Sequence, residues 1–471
     1  MSVTFSERAL CALDRSLGSG RVLTDPDILE SYATDESEVP AHPPQAVVRV
    51  QNAEEVAQTM RICAEHSVPV TPRAGGTGRT GGAVPIAGGL VMAFENMQAI
   101  KGIEKRDMIA VVEPGVVLAD LHRAVEEVGL FYPPDPNSLK SCAIGGNVAE
   151  NAGGPRALRY GCTRDYVLGM NVVTPDGEAL SVGKRTVKGV TGYDLTSLLV
   201  GSEGTLAITT EITLKLLPKP QAVATLLAPL PSLESAGNGV NGVLGAGILP
   251  RCLELMDEIT LRLVRTQAPQ LAIPEQARAL LLVELDGDEI ALDAQLERAG
   301  NALIEAGALD VLVARHGGDR EKLWAARREL SYALRRSAKH KLAEDVVVPR
   351  SQIAKLIDRC QSLSERFGVV IPCYGHAGDG NIHVNFLWDD PALEPNVHQA
   401  IEALFREVIA LGGTLTGEHG IGVLKAPYLP LEQSPRVIAL QEQIKSLFDP
   451  KHLLNPGKIF PAHVQRLHKA C

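Results

Sequence analysis

The residues of this chain best placed to do chemistry are two histidines and a glutamate–histidine pair. His376-Ala-Gly-Asp-Gly-Asn-Ile-His383 carries an imidazole at each end, and Glu418-His419 follows further along. Asp379-Gly380 is a two-residue turn signal because glycine tolerates positive φ, so the segment reads as a hairpin pairing 378 with 381, 377 with 382 and 376 with 383. Directly opposed side chains have Cβ atoms roughly 4.5–5.5 Å apart, close to what two imidazoles need to share one ion at roughly 2.0–2.1 Å. Glu418 would complete a two-histidine, one-carboxylate set with open positions, the arrangement of catalytic metal sites. In an extended segment His419 points to the opposite side from Glu418, which makes it a candidate base. The plainer alternative is a set of unrelated polar residues on loops. Against it stand the turn-defined spacing and the glycines that bracket both groups, Gly375, Gly378, Gly380, Gly417, Gly420 and Gly422.

Three glycine-rich segments suggest a second function. Gly76-Thr-Gly-Arg-Thr-Gly81 satisfies G-x-G-x-x-G after a strand-like stretch at 68–71, and Glu95 lies where a ribose ligand would be sought. A dinucleotide fingerprint must open a helix, however, and Gly82-Ala-Val-Pro85-Ile-Ala-Gly88-Gly89 cannot. What remains is a row of backbone amides from Arg73 to Gly81 able to wrap an anion such as a pyrophosphate. Gly145-Gly-Asn-Val-Ala-Glu-Asn-Ala-Gly-Gly154 and Gly201-Ser-Glu-Gly204 would close two more backbone segments on the same ligand. Three loops suit a long ligand; tight turns between strands are the alternative for any one of them.

The elements that must carry these residues follow from periodicity. Strand-like runs at 46–50, 68–71, 90–94 and 109–112 alternate with a helical pattern at 53–66, an α+β or α/β opening. A helix at 118–128, strands at 171–174 and 206–217, and a Pro218-Lys-Pro220 linker come next. Beyond it lie strands at 280–285 and 311–314, helices at 290–306, 320–339 and 352–367, and the histidine hairpin. That order suggests helices covering one face of an antiparallel sheet. A final helix is expected at 436–448.

At 471 residues the chain needs two or three hydrophobic cores. Apolar content of 45% with 22% charge describes a globular protein, and a net charge of −10 argues against nonspecific nucleic-acid binding. The eight cysteines include no C-x-x-C, so no zinc ribbon or iron–sulfur cluster is indicated, and reduced thiols are expected. The N-terminus lacks a signal-peptide core and no apolar run reaches about 18 residues. The expectation is a cytoplasmic protein, with peripheral membrane contact compatible.

The ordered segments PRAGGTGRTGG (72–82), PPDPNS (133–138), CAIGGNVAENAGGPRALRYG (142–161), GYDLTSLLVGSEGTLAIT (192–209), YGHAGDGNIHVN (374–385), GEHGIG (417–422) and NPGKIF (455–460) resemble the vanillyl-alcohol-oxidase flavoproteins. More narrowly they are similar to the FAD-dependent D-2-hydroxyacid dehydrogenases, which include D-lactate and D-2-hydroxyglutarate dehydrogenases and the glycolate oxidase FAD subunit. The likeness spans about residues 30–460. It implies an α+β protein: an FAD domain of two α/β subdomains (1–219), an antiparallel-sheet α+β cap (220–413) and a C-terminal helical segment returning to the flavin (414–471).

By that resemblance Arg73, Gly75, Gly76, Thr77, Gly78 and Gly81 hold the FAD pyrophosphate. Pro134, Asp135, Gly145, Gly146, Asn147, Asn151 and Gly153 line the flavin, Glu203, Gly204 and Ile208 lie near the adenine, and Asn455 closes the site. Thr77 stands where covalently flavinylated relatives often have histidine, implying noncovalent FAD. His376, His383 and Glu418 would hold a divalent metal, Zn2+ by resemblance, and His419 would take the hydroxyl proton as hydride leaves Cα for flavin N5. Arg327 matches the substrate-carboxylate arginine, Lys341 is a second cation in a segment of uncertain register, and Asn385 would complete the pocket. The implied reaction is oxidation of a D-2-hydroxy acid. Quinone, cytochrome, electron-transfer flavoprotein or an iron–sulfur subunit are open as electron acceptors, and a homo-oligomer is compatible. The alternatives are a metal-dependent hydrolase using the histidine–glutamate set alone, and a non-catalytic flavin-binding subunit.

Overall fold

In a computed structural model of the chain, which describes residues 6–460 apart from 268–272 and 329, the helical pattern at Ala53–His66 forms a helix over those residues. The Asn52 side chain caps it by accepting from the Glu55 N–H at 3.0 Å. Val56, Met60 and Cys63, at helical spacing, bury its inner face. The helix is the crossover that a parallel pairing requires. It joins two strands of a sheet made of β1 (Val22–Leu23), β2 (Ala46–Arg49), β3 (Val70–Arg73) and β4 (Leu90–Ala93), ordered β1-β2-β4-β3, with β2 and β3 both parallel to β4.

The following strands are β5 (Ile100–Glu104), β6 (Ile109–Val112), β7 (Leu130–Phe131), β8 (Val167–Val173), β9 (Ala179–Gly183), β10 (Ile208–Lys215) and β11 (Leu217–Pro218). Five of them form an antiparallel sheet ordered β5-β6-β10-β8-β9, while β7 pairs with β11. Along β10 buried and half-buried residues alternate, the signature of a strand with one face on a core. The C-terminal segment adds to the edge of the first sheet, where the Asn455 N–H donates to the Val70 carbonyl at 2.7 Å. These elements belong to one compact unit, Met1–Gly153, Cys162–Lys219 and Glu418–Cys471.

The other unit comprises Gly154–Gly161 and Pro220–Gly417. Its strands β12 (Ala222–Leu230), β13 (Cys252–Met256), β14 (Ala279–Gly287), β15 (Leu312–Ala314), β16 (His340–Val347), β17 (Cys373–His376) and β18 (Asn381–Trp388) form a seven-stranded sheet ordered β15-β12-β14-β13-β17-β18-β16. Every pairing in it is antiparallel.

Helices cover both of its faces rather than the single face expected. Leu281 packs under the helix Leu233–Gly245, close to Gly239, while Leu280 and Leu282 cluster on the other side with Leu323, Trp324, Leu330 and Leu334. The cause is visible in β14, where eight successive residues are buried; its apolar run from Ala279 to Val283 leaves no wet face. Of the helix expected over 320–339, Gly317–Arg328 and Leu330–Ser337 are helical, and residue 329 between them lies outside the described residues.

The hairpin register also differs from expectation. His376 pairs with Asn381 and Tyr374 with His383, because residues 377–380 form a four-residue turn closed by the Gly380 N–H on the His376 carbonyl at 3.0 Å. The shift is two residues, so both histidines keep the same face of the sheet. Among the described residues the seven cysteines form no disulfide, and no helix is long and apolar enough to cross a membrane.

Candidate active site

The first unit contains a cavity whose wall includes Arg73, Gly75, Gly76, Thr77, Gly78, Gly145, Gly146, Asn147, Glu203, Gly204, Ile208 and Asn455. All three glycine segments and the C-terminal asparagine therefore converge on one space. A Cβ at Gly75 would lie 2.9 Å from the Ala143 nitrogen and the Ser141 carbonyl oxygen, so the first loop touches backbone leading into the second. Gly76, at φ +66°, leaves room for the Arg73 guanidinium, which donates to the Thr34 carbonyl at 2.6 Å and lies over the Tyr32 ring. The second segment is a short helix, Ile144–Glu150, rather than an irregular loop.

Five expected contacts lie off that wall. Gly81 makes space for Val39 and Val423, and Gly153 for the Glu418 carboxylate. Asn151 caps the short helix and accepts from the Arg164 N–H. The Pro134 carbonyl meets His122 Nε2 at 3.0 Å, and Asp135 precedes Pro136, Asn137 and Ser138, which do reach the cavity. Glu418 and His419 also line it. The His419 carbonyl accepts from Thr80 Oγ1 at 3.1 Å, tying the returning segment to the first glycine loop.

Two buried acids stand at this cavity, and neither their depth nor their pairing was apparent from composition. Glu203 accepts from the N–H groups of Ile421 and Gly422, each at 2.7 Å. Burial raises its pKa, while those two donors and the cations Lys458 and Lys425 oppose the rise. Glu150 Oε2 is buried with no hydrogen-bond partner, and burial followed by the charge of Glu203 pushes its pKa well above the carboxylate range. Of the pair, Glu150 lacks the donors that steady a carboxylate, and its carboxyl is the one pushed toward the neutral form.

In the second unit, His376, His383 and Asn385 share one face of the sheet, as the β17–β18 pairing dictates. The two imidazole rings are 5.3 Å apart, nearly perpendicular. Behind them Glu254, fully buried on β13, places Oε1 2.6 Å from His376 Nδ1 and accepts from Arg327 Nε with Oε2 at 2.7 Å. Burial alone would raise the Glu254 pKa, but His376 and Arg327 outweigh it and hold the carboxyl down at about 2. Arg327 is 4% exposed and its guanidinium lies over the Tyr374 ring, so it is not on the solvated helix face its sequence neighbours suggest.

Asn385 donates to the His383 carbonyl at 3.3 Å, and its Oδ1 is buried without a partner. Lys341 is turned to the helix Leu330–Ser337, donating to Ser331 O and Oγ at 3.1 and 3.0 Å. Asp345, cross-strand from His383, accepts from the Gly417 N–H at 2.8 Å and so holds the residue bonded to Glu418. Sequence reading missed Glu254. Its signal was a lone charge in the otherwise apolar run Cys-Leu-Glu-Leu-Met, at odds with a fully buried strand unless it is paired.

With its glycine-lined cavity and its antiparallel-sheet unit, the chain falls by sequence and fold similarity in one class, the FAD-linked oxidoreductases of the vanillyl-alcohol-oxidase fold. Residues 44–183 match the family described as FAD binding domain, and residues 219–459 match FAD linked oxidases, C-terminal domain. The chain belongs to this FAD-linked oxidase family. It is similar to glycolate oxidase subunit GlcD of Bacillus subtilis, 42% identical over 88% of this chain and 89% of that one. It is similar to D-lactate dehydrogenase of Anaerostipes hadrus, 37% identical over 94% and 96%. The fold matches that of p-cresol methylhydroxylase, with a TM-score of 0.81 at 18% identity over 96% of each chain.

Proposed function

We propose that this FAD-linked enzyme oxidises a D-2-hydroxy acid, of the D-lactate, D-2-hydroxyglutarate or glycolate class, to the 2-oxo acid and passes electrons to an acceptor other than a nicotinamide. The observation that carries the reading is that Glu418 and His419 stand on the wall of the same cavity as the three glycine loops. The names of its relatives, a glycolate oxidase subunit and a D-lactate dehydrogenase, support it. The metal-hydrolase alternative draws no support from them. In this reading the chain divides functionally into an FAD-binding part, a substrate-binding cap and a returning C-terminal segment.

The residues fit FAD: at Gly75 the first loop lies directly against the Ser141–Ala143 backbone with no room for a side chain, and the amides from Arg73 to Gly78 suit a pyrophosphate. With Thr77 and no histidine on that loop, we infer noncovalent attachment. Bound FAD supplies the two-electron acceptor. Two imidazoles and a carboxylate, His376, His383 and Glu418, fit a divalent metal such as Zn2+ by their donor chemistry, and the ion would supply positive charge that lowers the pKa of a nearby hydroxyl.

The chain's own groups do the rest. His419 accepts the hydroxyl proton as general base. Arg327, anchored through Nε, offers its two terminal nitrogens to the substrate carboxylate. Asn385, through its unpartnered oxygen, receives a donor, and Lys341 is the outlying cation. Anaerobic mixing with D-lactate, D-2-hydroxyglutarate and glycolate tests the proposal. Bleaching of flavin absorption by at least one acid is expected; persistent colour with all three would refute the proposal and favour a non-catalytic flavin-binding subunit.

A further inference from the structure

We propose that Glu254 is the positioning residue of this site, one buried carboxylate that orients His376 as a metal ligand through one oxygen and Arg327 as the substrate-carboxylate clamp through the other. The inference rests on the metal and arginine roles just proposed. An ionised carboxylate accepts hydrogen bonds only, so the 2.6 Å contact with His376 Nδ1 requires the proton on Nδ1, and in the neutral imidazole this leaves the lone pair on Nε2. That is the tautomer in which Nε2 can bind an ion, and a carboxylate behind a ligating imidazole both fixes the ring and raises its basicity. The second oxygen takes Arg327 Nε at 2.7 Å, which fixes the plane of the guanidinium and so the directions in which its terminal nitrogens donate. Because both groups hang on one carboxylate, metal affinity and acid recognition are mechanically joined.

An alternative in which this is only a structural ion pair makes a different forecast. Such a pair would change thermal stability without changing metal affinity. Glu254→Gln preserves shape, but its amide oxygen can accept from only one of the two donors while its NH2 confronts the other.

The test strips wild type and Glu254→Gln of metal, verifies FAD content, and titrates each with Zn2+ against a chromophoric chelator. We expect FAD content unchanged, zinc affinity weakened roughly 10–100-fold, the magnitude typical for loss of such an outer partner, and KM for the bleaching acid raised more than kcat is lowered. If the single variant does not fold, Glu254→Gln/Arg327→Met removes both buried charges together, which avoids an unpaired one, and takes the same zinc titration. Equal zinc affinity in wild type and a folded variant overturns the role of Glu254 while leaving the metal reading intact. No zinc bound by wild type overturns both.

Discussion

The two units use opposite materials. In the first, glycines at 75, 76, 78, 145, 146 and 204 bring main-chain groups onto the cavity wall, between side chains such as Asn147 and Glu203. In the second, the candidate chemistry is all side chain, with His376, Arg327 and Glu254 joined in one buried hydrogen-bonded chain on a sheet face. Where a wall is made by close backbone approach, it tolerates no added atom. A side-chain site tolerates changes of shape but not an unpaired charge. Perturbations should therefore fail in distinguishable ways.

Chelation is the sharpest way to break the contrast. Removing metal should reduce acid oxidation to background while leaving the flavin spectrum unchanged, with activity restored by Zn2+; full activity without metal would end the separate role of the histidine set.

Gly75→Ala should do the reverse. The added carbon meets the backbone of Ser141 and Ala143 at 2.9 Å, and overpacking of about 1–3 kcal/mol corresponds to roughly 5- to 150-fold weaker FAD binding. Zinc affinity, measured by titration, should not move; a parallel loss of both ligands would show that the two sites are not independent.

His419→Ala should keep FAD and metal yet slow flavin reduction roughly 10²–10⁴-fold, the usual contribution of a general base. Stopped-flow reduction rates at saturating acid measure it, and an unchanged rate removes His419 from proton transfer.

The smallest effect concerns stability. Lys458 lies buried in the first unit, donating to the Val84 carbonyl, and burial lowers its pKa to about 7 despite the opposing charges of Asp35 and Glu203. Between pH 7 and the ordinary lysine range the unfolded chain binds a proton that the native state does not. Stability from this group consequently rises with pH across that window and is lost as pH falls toward 7. Lys458→Met should flatten the pH dependence of Tm between 7 and 9 by a few degrees, roughly 2–4 °C. An unaltered slope would show that Lys458 does not titrate there.

Legibility in the sequence divides along the same line as the chemistry. The helix Ala53–His66 and strand Ile109–Val112 were readable to the residue because local periodicity and capping determine them. The glycine loops were readable because backbone approach demands glycine whatever lies opposite. The hairpin was found but misregistered, since Asp379-Gly380 looks like a complete turn and only the four-residue closure reveals the shift. Arg327 was one of several basic residues on a helix, with nothing local to separate it from Arg328, which is exposed and paired with Glu321.

From its order of residues alone this protein determined which segments form strands and helices, where backbone must come close, and which side chains carry donor chemistry, because those properties depend on neighbours a few positions away. Folding alone decided that Glu254, His376 and Arg327 would meet, that the sheet would be covered on both faces, and that Glu203 would find two N–H donors while Glu150 Oε2 is buried without one. Each depends on burial and on partners distant in the chain, and desolvation acts only once those partners are packed around the charge.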